Sequence, residues 1–220
     1  MLRIFFVVFI VFQVVVSGLM FTSCKKDAKC DCNVDTLGVA KVLQPDSIVG
    51  KDAVIENRVP DNNSGSSSLL ATFAWTNQGF FDVARSLIEF DLSYFPSQTK
   101  IKSAKLSLYW NSYNNLIEQT GENAFSIYRI IQEWDEQTVT WNNQPATTDS
   151  NKVTVPKSTA VDQSYINIDV TQLVQDIIDN PAQGHGFMIK LEYEIPYKLV
   201  VLASSDCTEA GKRPKLVIYY

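Results

Sequence analysis

The sequence is poor in the residues and motifs that usually carry catalysis. It contains one histidine, His185, and four cysteines among 220 residues. It has no Gly-x-Ser-x-Gly nucleophile elbow and no phosphate-binding glycine loop. Carboxylates are plentiful, but no pair stands out as the two acids of a glycoside hydrolase. We therefore predict that the protein is not an enzyme, with a glycosidase or lyase as the weakest alternative.

Positive charge is also scarce. The chain has 19 Lys and Arg residues against 24 Asp and Glu residues, and its net charge is −5 at pH 7. Nucleic-acid binding normally requires a basic patch or stripe. The sequence contains no such cluster, so we expect no nucleic-acid partner.

Long hydrophobic runs are limited to the N-terminus. A positive start is followed by residues 4–16, which are apolar except for Gln13, and then by small residues that lead to Cys24. This pattern is typical of a secretory signal, and the run is shorter than the roughly 20 residues of a membrane span. The stretch before Cys24 resembles a relaxed bacterial lipobox, and CKKD at 24–27 resembles the mature start of many Bacteroidota lipoproteins. The resemblance implies cleavage before Cys24 and a lipid on it; an uncleaved apolar anchor is the alternative.

The chain therefore divides into three predicted parts. Residues 1–23 are the signal peptide, residues 24–38 carry the lipid and form a flexible polar tether, and residues 39–220 form one domain with a full core. We expect the lipid to attach the protein to the cell envelope, at the outer membrane. The domain then lies either on the cell surface or on the periplasmic side of that membrane.

The remaining cysteines leave two alternatives. With Cys24 lipidated, Cys30, Cys32 and Cys207 remain, and an odd number allows at most one intramolecular disulfide. Either a tether cysteine, with Cys32 as the candidate, is bonded to Cys207, or all three are reduced. Too few Cys and His residues are present for a typical four-ligand zinc site.

No cofactor is predicted. Asp135 and Glu136 are the candidate ligands of a structural calcium ion. Calcium takes six to eight oxygen ligands, and no EF-like loop surrounds these two acids. The sequence thus offers no support for calcium, and helix capping or pairing with arginine is the expected use of the acids.

From Val39 onward the chain indicates about ten short strands. Alternation of apolar and polar residues marks four of them, at residues 88–92, 104–110, 166–170 and 216–220, as expected for strands with one buried face. Others are predicted at residues 52–55, 68–75, 123–131, 138–141, 186–191 and 199–204, with a turn at 142–145. The pattern predicts an all-β fold, a jelly-roll-like antiparallel β-sandwich.

One short amphipathic helix interrupts the strands. Asp169 is predicted to cap its start, with Gln172 completing a capping box, and Asn180-Pro181 to end it. We expect the helix to close one end of the sandwich. Its apolar residues recur at helical spacing: Val170, Leu173, Val174, Ile177 and Ile178.

Several segments in order resemble a known domain family. They are RSLIEFDL (85–92), IKSAKLSLY (101–109), WDEQTVTWNNQP (134–145), IDVTQLV (168–174), GFM (186–188), SS (204–205) and RPKL (213–216). The series is similar to the DNRLRE domain, also classed as carbohydrate-binding module family 96, over about residues 40–220. The resemblance implies a secreted β-sandwich linked to binding extracellular polysaccharides, acidic ones of the alginate kind among them.

The residues within these recurring segments are expected to be architectural. Trp134 and Trp141 are predicted to be core residues or loop staples rather than glycan contacts, because residues that recur across a family with diverse ligands are more often architectural. A buried indole needs a partner for its N–H, which the neighbouring carboxylates and amides can supply. Arg85 is expected to pair with a carboxylate. Asp169 and Arg213 are likewise assigned structural roles.

Aromatic residues in polar loops are the better candidates for ligand contact. Trp75, Tyr113 and Tyr197 each lie in such a loop, and a ring beside amides or carboxylates suits the apolar faces and hydroxyl edges of a sugar. We predict one carbohydrate site among the three loops. An acidic glycan would need basic residues nearby, for which the candidates are Arg58, Lys100 and Lys198.

These features lead to one principal hypothesis about function and one alternative. The principal hypothesis is a lipoprotein of the cell envelope that binds extracellular polysaccharide without catalysis. The alternative is a structural or adhesive surface protein that binds other proteins or forms an assembly.

Overall fold

The computed structural model describes residues 38–111 and 118–220. These residues form one α-helix, α1 (Thr171–Asp179), two 3-10 turns (Pro181–Gln183 and Ala210–Lys212) and eleven strands. The strands are β1 (Ala40–Leu43), β2 (Lys51–Glu56), β3 (Leu69–Asn77), β4 (Phe80–Glu89), β5 (Ser103–Leu108), β6 (Phe125–Ile130), β7 (Thr147–Val155), β8 (Tyr165–Asp169), β9 (Phe187–Leu191), β10 (Lys198–Ala203) and β11 (Lys215–Tyr219).

The strands pair into two antiparallel sheets. One has four strands in the order β1-β11-β5-β8, and the other has seven, in the order β10-β3-β4-β9-β6-β7 with β2 also paired to β4. A bridge between Trp110 and Leu202 links the chain just after β5 to β10, so the two sheets are joined at that corner. The predicted all-β antiparallel sandwich with one short helix is confirmed.

Apolar residues of both sheets and of α1 form the main core. The helix contacts β5 of one sheet and β6 and β7 of the other, so it fills the space between the sheets. Each fully buried aliphatic side chain contributes about 1.5–3 kcal/mol through the hydrophobic effect. Core members include Leu70, Ala74, Ile88, Leu106, Phe125, Leu173, Val174, Ile177, Ile178, Ile189, Val200, Leu216 and Ile218.

A second, smaller core covers part of the opposite side of the seven-stranded sheet. We call that side the outer face. Because side chains alternate along a strand, Leu87 lies on the outer face while Ile88 belongs to the main core. Residues 133–145, here called the Trp segment, cross the outer face between β6 and β7. The second core consists of Ala53, Ile55, Leu87, Ile130, Trp134, Val139 and Met188.

The strand predicted at residues 138–141 is wrong. The N–H of Val139 donates to the carbonyl of Asp135 at 2.9 Å, and the N–H of Thr140 donates to Asn143 Oδ1 at 2.6 Å. The backbone of this stretch thus bonds locally instead of joining a ladder. The predicted turn after it is present at Asn142 and Asn143.

Two strands were not predicted, and most other boundaries differ by one or two residues, with β4 as the larger exception. β7 escaped prediction because its middle, residues 149–152, is the polar run DSNK, which is exposed at the edge of the sheet. β1 is only four residues long. β4 begins at Phe80 and ends at Glu89, so the strand predicted through residue 92 ends earlier, although Phe90 is buried in the main core.

The predicted capping box at the start of α1 is also wrong. The N-cap is Val170, and no side chain makes a capping hydrogen bond. The Asp169 carboxylate instead accepts from the N–H and the hydroxyl of Thr171, and Gln172 donates to Asp176. The helix ends before Asn180-Pro181 as predicted. Among residues 38–111 and 118–220, no helix has the length and apolar character needed to cross a membrane.

Candidate functional site

Trp134 in the Trp segment is enclosed by protein. Only 6% of the residue is exposed. Its indole Nε1 donates to the carbonyl oxygen of His185 at 2.9 Å, and the ammonium of Lys51 lies 4.6 Å from the ring centroid. With its N–H satisfied and a ring face occupied by Lys51, Trp134 offers no stacking platform to a ligand.

Trp141 is half-buried beneath an arginine. The guanidinium of Arg85 lies 4.6 Å from the Trp141 ring centroid. Arg85 also donates two hydrogen bonds to the carboxylate of Glu194, at 2.8 and 2.9 Å, and one to Gln144 Oε1 at 2.8 Å. This bidentate pair, a geometry in which Arg–carboxylate bonds are strong, fixes the arginine over the ring.

Asp52 on β2 bonds two other segments, the Trp segment through its backbone N–H and residue 205 through its buried carboxylate. The N–H of Asp52 donates to Glu136 Oε1 at 2.8 Å, and Asp52 Oδ2 accepts from the N–H of Ser205 at 2.7 Å. Burial raises the pKa of Asp52 to about 7, against the lowering effect of the Ser205 hydrogen bonds, and the charges of Asp206 and Glu136 raise it further. Folding therefore favours the protonated form of this carboxyl.

Asp169 and Arg213 make local contacts with neighbouring segments. Hydrogen bonds from Lys105 and then from Thr171 lower the pKa of Asp169 to about 2. Arg213 Nε donates to the carbonyl of Cys207 at 3.0 Å. Both residues thus tie neighbouring segments together.

Cys207 is buried, and it forms no disulfide with another residue in the part of the chain that the structure describes. Its sulfur lies 3.5 Å from Asn111 Nδ2. Cys24, Cys30 and Cys32 are outside the described residues, so a Cys32–Cys207 disulfide stays a prediction.

The other half of the outer face is open. On β3, Phe73 and Trp75 point away from the core residues Leu70 and Ala74, and Phe73 is paired with Leu199 on β10. These outward side chains form a groove of 540 Å³. Its lining consists of Leu69, Ala71, Phe73, Trp75, Thr76, Asn77, Gln78, Asp82, Leu199 and Val201.

A tight hairpin places the polar end of the groove. β3 and β4 are joined by Gln78 and Gly79, whose φ angles are +52° and +85°. Two successive positive φ angles are typical of the type I′ turn, which suits the twist of a hairpin. The short turn puts the amides of Asn77 and Gln78 at the mouth of the groove beside Trp75.

Trp75 and Tyr197, which the sequence placed in separate loops, meet at this groove. Their ring centroids are 5.2 Å apart, with an interplanar angle of 86°, and Thr76 Oγ1 donates to the Tyr197 hydroxyl at 3.2 Å. They are 39% and 59% exposed. Tyr113, the third predicted aromatic, lies outside the described residues.

The backbone around Tyr197 fixes the position of its ring. Tyr197 has a φ of +71°, a left-handed conformation that is uncommon for a residue with a side chain. Gly121, at φ +73°, lies against it, and a Cβ at Gly121 would collide with the Tyr197 carbonyl oxygen. A glycine is therefore required for the two segments to approach each other.

Asp82 supplies the only charge that lines the groove among the described residues. It lies across the β3–β4 ladder from Trp75 and is only 5% exposed. Its Oδ2 is 3.4 Å from Arg58 Nε, whereas its Oδ1 is buried without a hydrogen-bond partner in the described chain. An exposed aromatic ring in a groove that is also lined by amides and a carboxylate is a suitable surface for a sugar.

A cavity larger than this groove lies elsewhere on the described part of the chain. It measures 630 Å³ and lies over the Trp segment. Its aromatic residue is Trp134, whose ring is covered, so this cavity has no free platform. We therefore place the candidate site in the smaller groove. The larger cavity is lined by Gly50, Lys51, Glu133, Trp134, Asp135, Glu136, Gln137, Thr138, Val139 and Asn143.

The predicted basic residues do not line the groove. Arg58 Nε lies between Glu56 Oε1 and Asp82 Oδ2, at 3.5 and 3.4 Å, and Lys198 Nζ donates to the carbonyl of Tyr193 at 3.1 Å. Lys100 is exposed elsewhere. Within residues 38–111 and 118–220, no group of three or more His, Cys, Asp or Glu side chains is arranged to hold a metal ion.

Sequence comparison connects this architecture to a family of binding domains. The sequence model of carbohydrate-binding module family 96 matches residues 45–220. The chain belongs to this family. Comparison with curated proteins gives no match. The matched range of the family 96 domain includes both the covered and the open half of the outer face, and membership supports a carbohydrate-binding, non-catalytic module.

The sequence did not identify Phe73, Asp82, Leu199 or Val201 as site residues of the family 96 domain. A usable signal existed in β3, where Phe73 and Trp75 alternate with the buried Ala74. Large aromatic residues on the phase opposite to the core indicate an outward apolar surface. Asp82 and β10 carried no comparable signal, because their approach to Trp75 depends on strand pairing.

Proposed function

We propose that the protein binds an extracellular polysaccharide, without altering it, in the groove on the outer face of β3, β4 and β10. The observation that carries the proposal is the exposed ring of Trp75, supported from the side by Tyr197. Asp82, Asn77 and Gln78 line the same groove as the ring. Family membership supports the same class of ligand.

Binding at one such site is expected to be modest. The groove is shallow, and sugar hydroxyls exchange bonds to water for bonds to protein at little net gain. Dissociation constants in the micromolar to millimolar range, roughly −8 to −4 kcal/mol, are therefore expected. Many copies at one cell surface would raise the effective strength through multivalency.

We further propose that the domain is held at the cell envelope by a lipid on Cys24. The basis is the apolar run, the lipobox-like residues and the polar stretch that follows. Two or more acyl chains on the cysteine would anchor the protein stably. In Cys24→Ser, we expect loss of lipid labelling and release from the membrane fraction, with a folded domain. Unchanged processing and membrane retention of Cys24→Ser would contradict the lipid anchor and leave the binding proposal standing.

The binding proposal is tested with a broad panel of polysaccharides. Affinity electrophoresis and calorimetry measure binding, and the recovered glycan is examined for shortened chains. We expect retention by at least one glycan and no products. Replacement of Trp75 or Tyr197 by Ala is expected to weaken binding while the melting temperature is maintained. Shortened chains would indicate an enzyme instead.

A second function is favoured by one observation. Phe80 and Phe81 are exposed at the hairpin, and Tyr193 and Ile195 are exposed in the loop before β10. Exposed apolar side chains of this kind can mark contacts with another protein. Failure to bind any polysaccharide in the panel would favour the adhesive or structural alternative.

A further inference from the structure

A patch of exposed apolar side chains lies beside the first strand. Val42 on β1 and Tyr94 after β4 are both more than half exposed. Ile48 and Val49, in the turn before β2, are 87% and 71% exposed. Val42, Val49 and Tyr94 line one surface cavity of 410 Å³, so they share one surface. We call these four residues the β1 patch, and contiguous exposed apolar side chains of this kind mark a contact surface.

The turn that carries Ile48 and Val49 is closed by Asp46. The Asp46 carboxylate accepts from the N–H groups of Ile48 and Val49, at 3.0 and 3.3 Å. The Asp46 carbonyl accepts from the N–H of Gly50 at 2.6 Å. Because these three donors are satisfied within the turn, the two aliphatic side chains at its tip can enter apolar surroundings without unpaired donors beneath them.

The rim of the β1 patch is polar. The ammonium of Lys41 lies 4.5 Å from the centroid of the Tyr94 ring, and the Tyr94 hydroxyl is 2.9 Å from the Tyr220 hydroxyl. Lys41 and Asp91 both line the cavity, so charge of each sign is present. Tyrosine and lysine combine an apolar body with a polar tip, which suits the boundary between the headgroups and acyl chains of a bilayer.

The position of the β1 patch in the chain favours a membrane as its partner. β1 begins at Ala40, and residues 25–39 separate it from Cys24. A flexible chain of this length spans roughly 20 Å, which corresponds to an effective concentration in the millimolar range. With a lipid on Cys24, even a weak contact between the patch and the bilayer would therefore be well populated.

Docking through the β1 patch would leave the glycan groove accessible. Phe90 and Asp91, which line the cavity of the patch, follow the end of β4. The groove lies towards the other end of β4, where Trp75 pairs with Asp82. β4 has ten residues, and at about 3.4 Å per residue its two ends are about 30 Å apart. A bilayer at the patch would thus lie away from the polar end of the groove.

We infer that the β1 patch docks on the phospholipid bilayer to which Cys24 is attached and turns the Trp75 end of the groove away from the membrane. The inference rests on the lipid anchor proposed above and does not depend on glycan binding. Ile48 and Val49 enter the interface between headgroups and acyl chains, where their apolar surface leaves water.

Hydroxyl-radical footprinting of the full-length lipidated protein tests the contact. The protein is inserted into preformed phosphatidylcholine vesicles and recovered by flotation, and oxidation is compared at Tyr94 and Tyr197, which are 55% and 59% exposed. We expect Tyr94 to be oxidised at least about threefold more slowly, because a side chain in the bilayer interface is shielded from water. Equal oxidation of the two tyrosines would overturn the inference and leave the anchor standing. Failure of the protein to float would overturn both.

Two double variants assign the protection to the β1 patch. Ile48→Ser with Val49→Ser removes the apolar tip and should raise oxidation of Tyr94 about twofold or more. Val161→Ser with Ile166→Ser removes an exposed valine and an exposed isoleucine elsewhere on the domain, and Tyr94 should stay protected. Melting temperatures of both variants should stay close to that of the wild-type protein. Unchanged protection of Tyr94 in the patch variant would overturn the inference.

Dilution separates the bilayer from a second copy of the chain. Protection of Tyr94 by lipid should persist when the ratio of protein to lipid is lowered. Protection that is lost on dilution would assign the β1 patch to a contact between copies and would overturn the inference.

Discussion

The two halves of the outer face carry tryptophans with opposite surroundings. Trp134 lies in the covered half, with its N–H bonded to His185 and Lys51 over its ring. Trp75 lies in the open half, with its ring exposed beside a groove. The comparison shows that a tryptophan among polar residues becomes a core residue or a binding platform according to what the chain lays over it.

The covering of one half has a local cause. Asn63 donates from its amide to the carbonyls of Glu136 and Val139, at 2.7 and 2.8 Å. These bonds hold the Trp segment down on the sheet. The open half ends in a hairpin whose two-residue turn, Gln78-Gly79, is too short to fold back over the sheet. Loop length and side-chain caps thus decide which half stays free.

The largest expected effect is on stability in the covered half. Trp134→Ala should lower the free energy of unfolding by about 3–5 kcal/mol, as aromatic truncations in cores do. Trp134→Phe keeps most of the ring and loses the bond to His185, so its cost should be smaller, about 1–2 kcal/mol. Denaturant unfolding measures both. A cost below 1 kcal/mol for Trp134→Ala would show that the covered half is not a core.

The next effect depends on pH and on the buried carboxyl of Asp52, which bonds Ser205. The folded pKa is about 7, and the ordinary value is 3.8. The folded protein therefore binds more protons between pH 4 and 7, so its unfolding free energy falls as pH rises through that window. Asp52→Asn should remove about 2–4 kcal/mol of this fall.

Thermal and denaturant unfolding at pH 4 and pH 8 measure the difference for Asp52→Asn. Asp149→Asn, at an exposed site, serves as the control and should follow the wild-type protein. If wild-type and Asp52→Asn proteins share one pH profile, Asp52 does not bind a proton on folding in this window.

A smaller effect is expected at Trp141, which is half-buried under Arg85. Trp141→Ala should cost about 1–3 kcal/mol, because less area is lost than in a full core and the cation–π contact adds about 0.5–1 kcal/mol. Arg85→Lys should cost less, since it keeps the charge and loses the bidentate bond. Unchanged stability with lost glycan affinity in Trp141→Ala would move the binding site to the covered half.

The sequence predicted the sandwich better than it predicted the site. Strands such as β5 and β11 were predictable because one face is buried and the alternation is strong. The stretch TVTW at 138–141 has strand-like composition, but its backbone bonds to Asp135 and Asn143. A local main-chain carbonyl and a local side-chain amide thus outcompeted ladder formation.

The site itself depends on long-range pairing. Trp75 and Tyr197 were each identified as ligand candidates, yet nothing in the sequence places their rings 5.2 Å apart. That proximity follows from the pairing of β3 with β10 and from the close approach of Gly121 to Tyr197. Asp82 was missed for the same reason, because its role depends on its cross-strand partner.

The most direct test of the account is a calorimetric titration of Trp75→Ala with a polysaccharide that the wild-type protein binds. Removal of a stacking platform is expected to weaken binding tenfold or more, while the exposed site limits the loss of unfolding free energy to about 1 kcal/mol. Trp134→Phe, measured beside it, should retain wild-type affinity. The account predicts lost affinity with intact stability at Trp75, and wild-type affinity in a stably folded Trp75→Ala protein would contradict it.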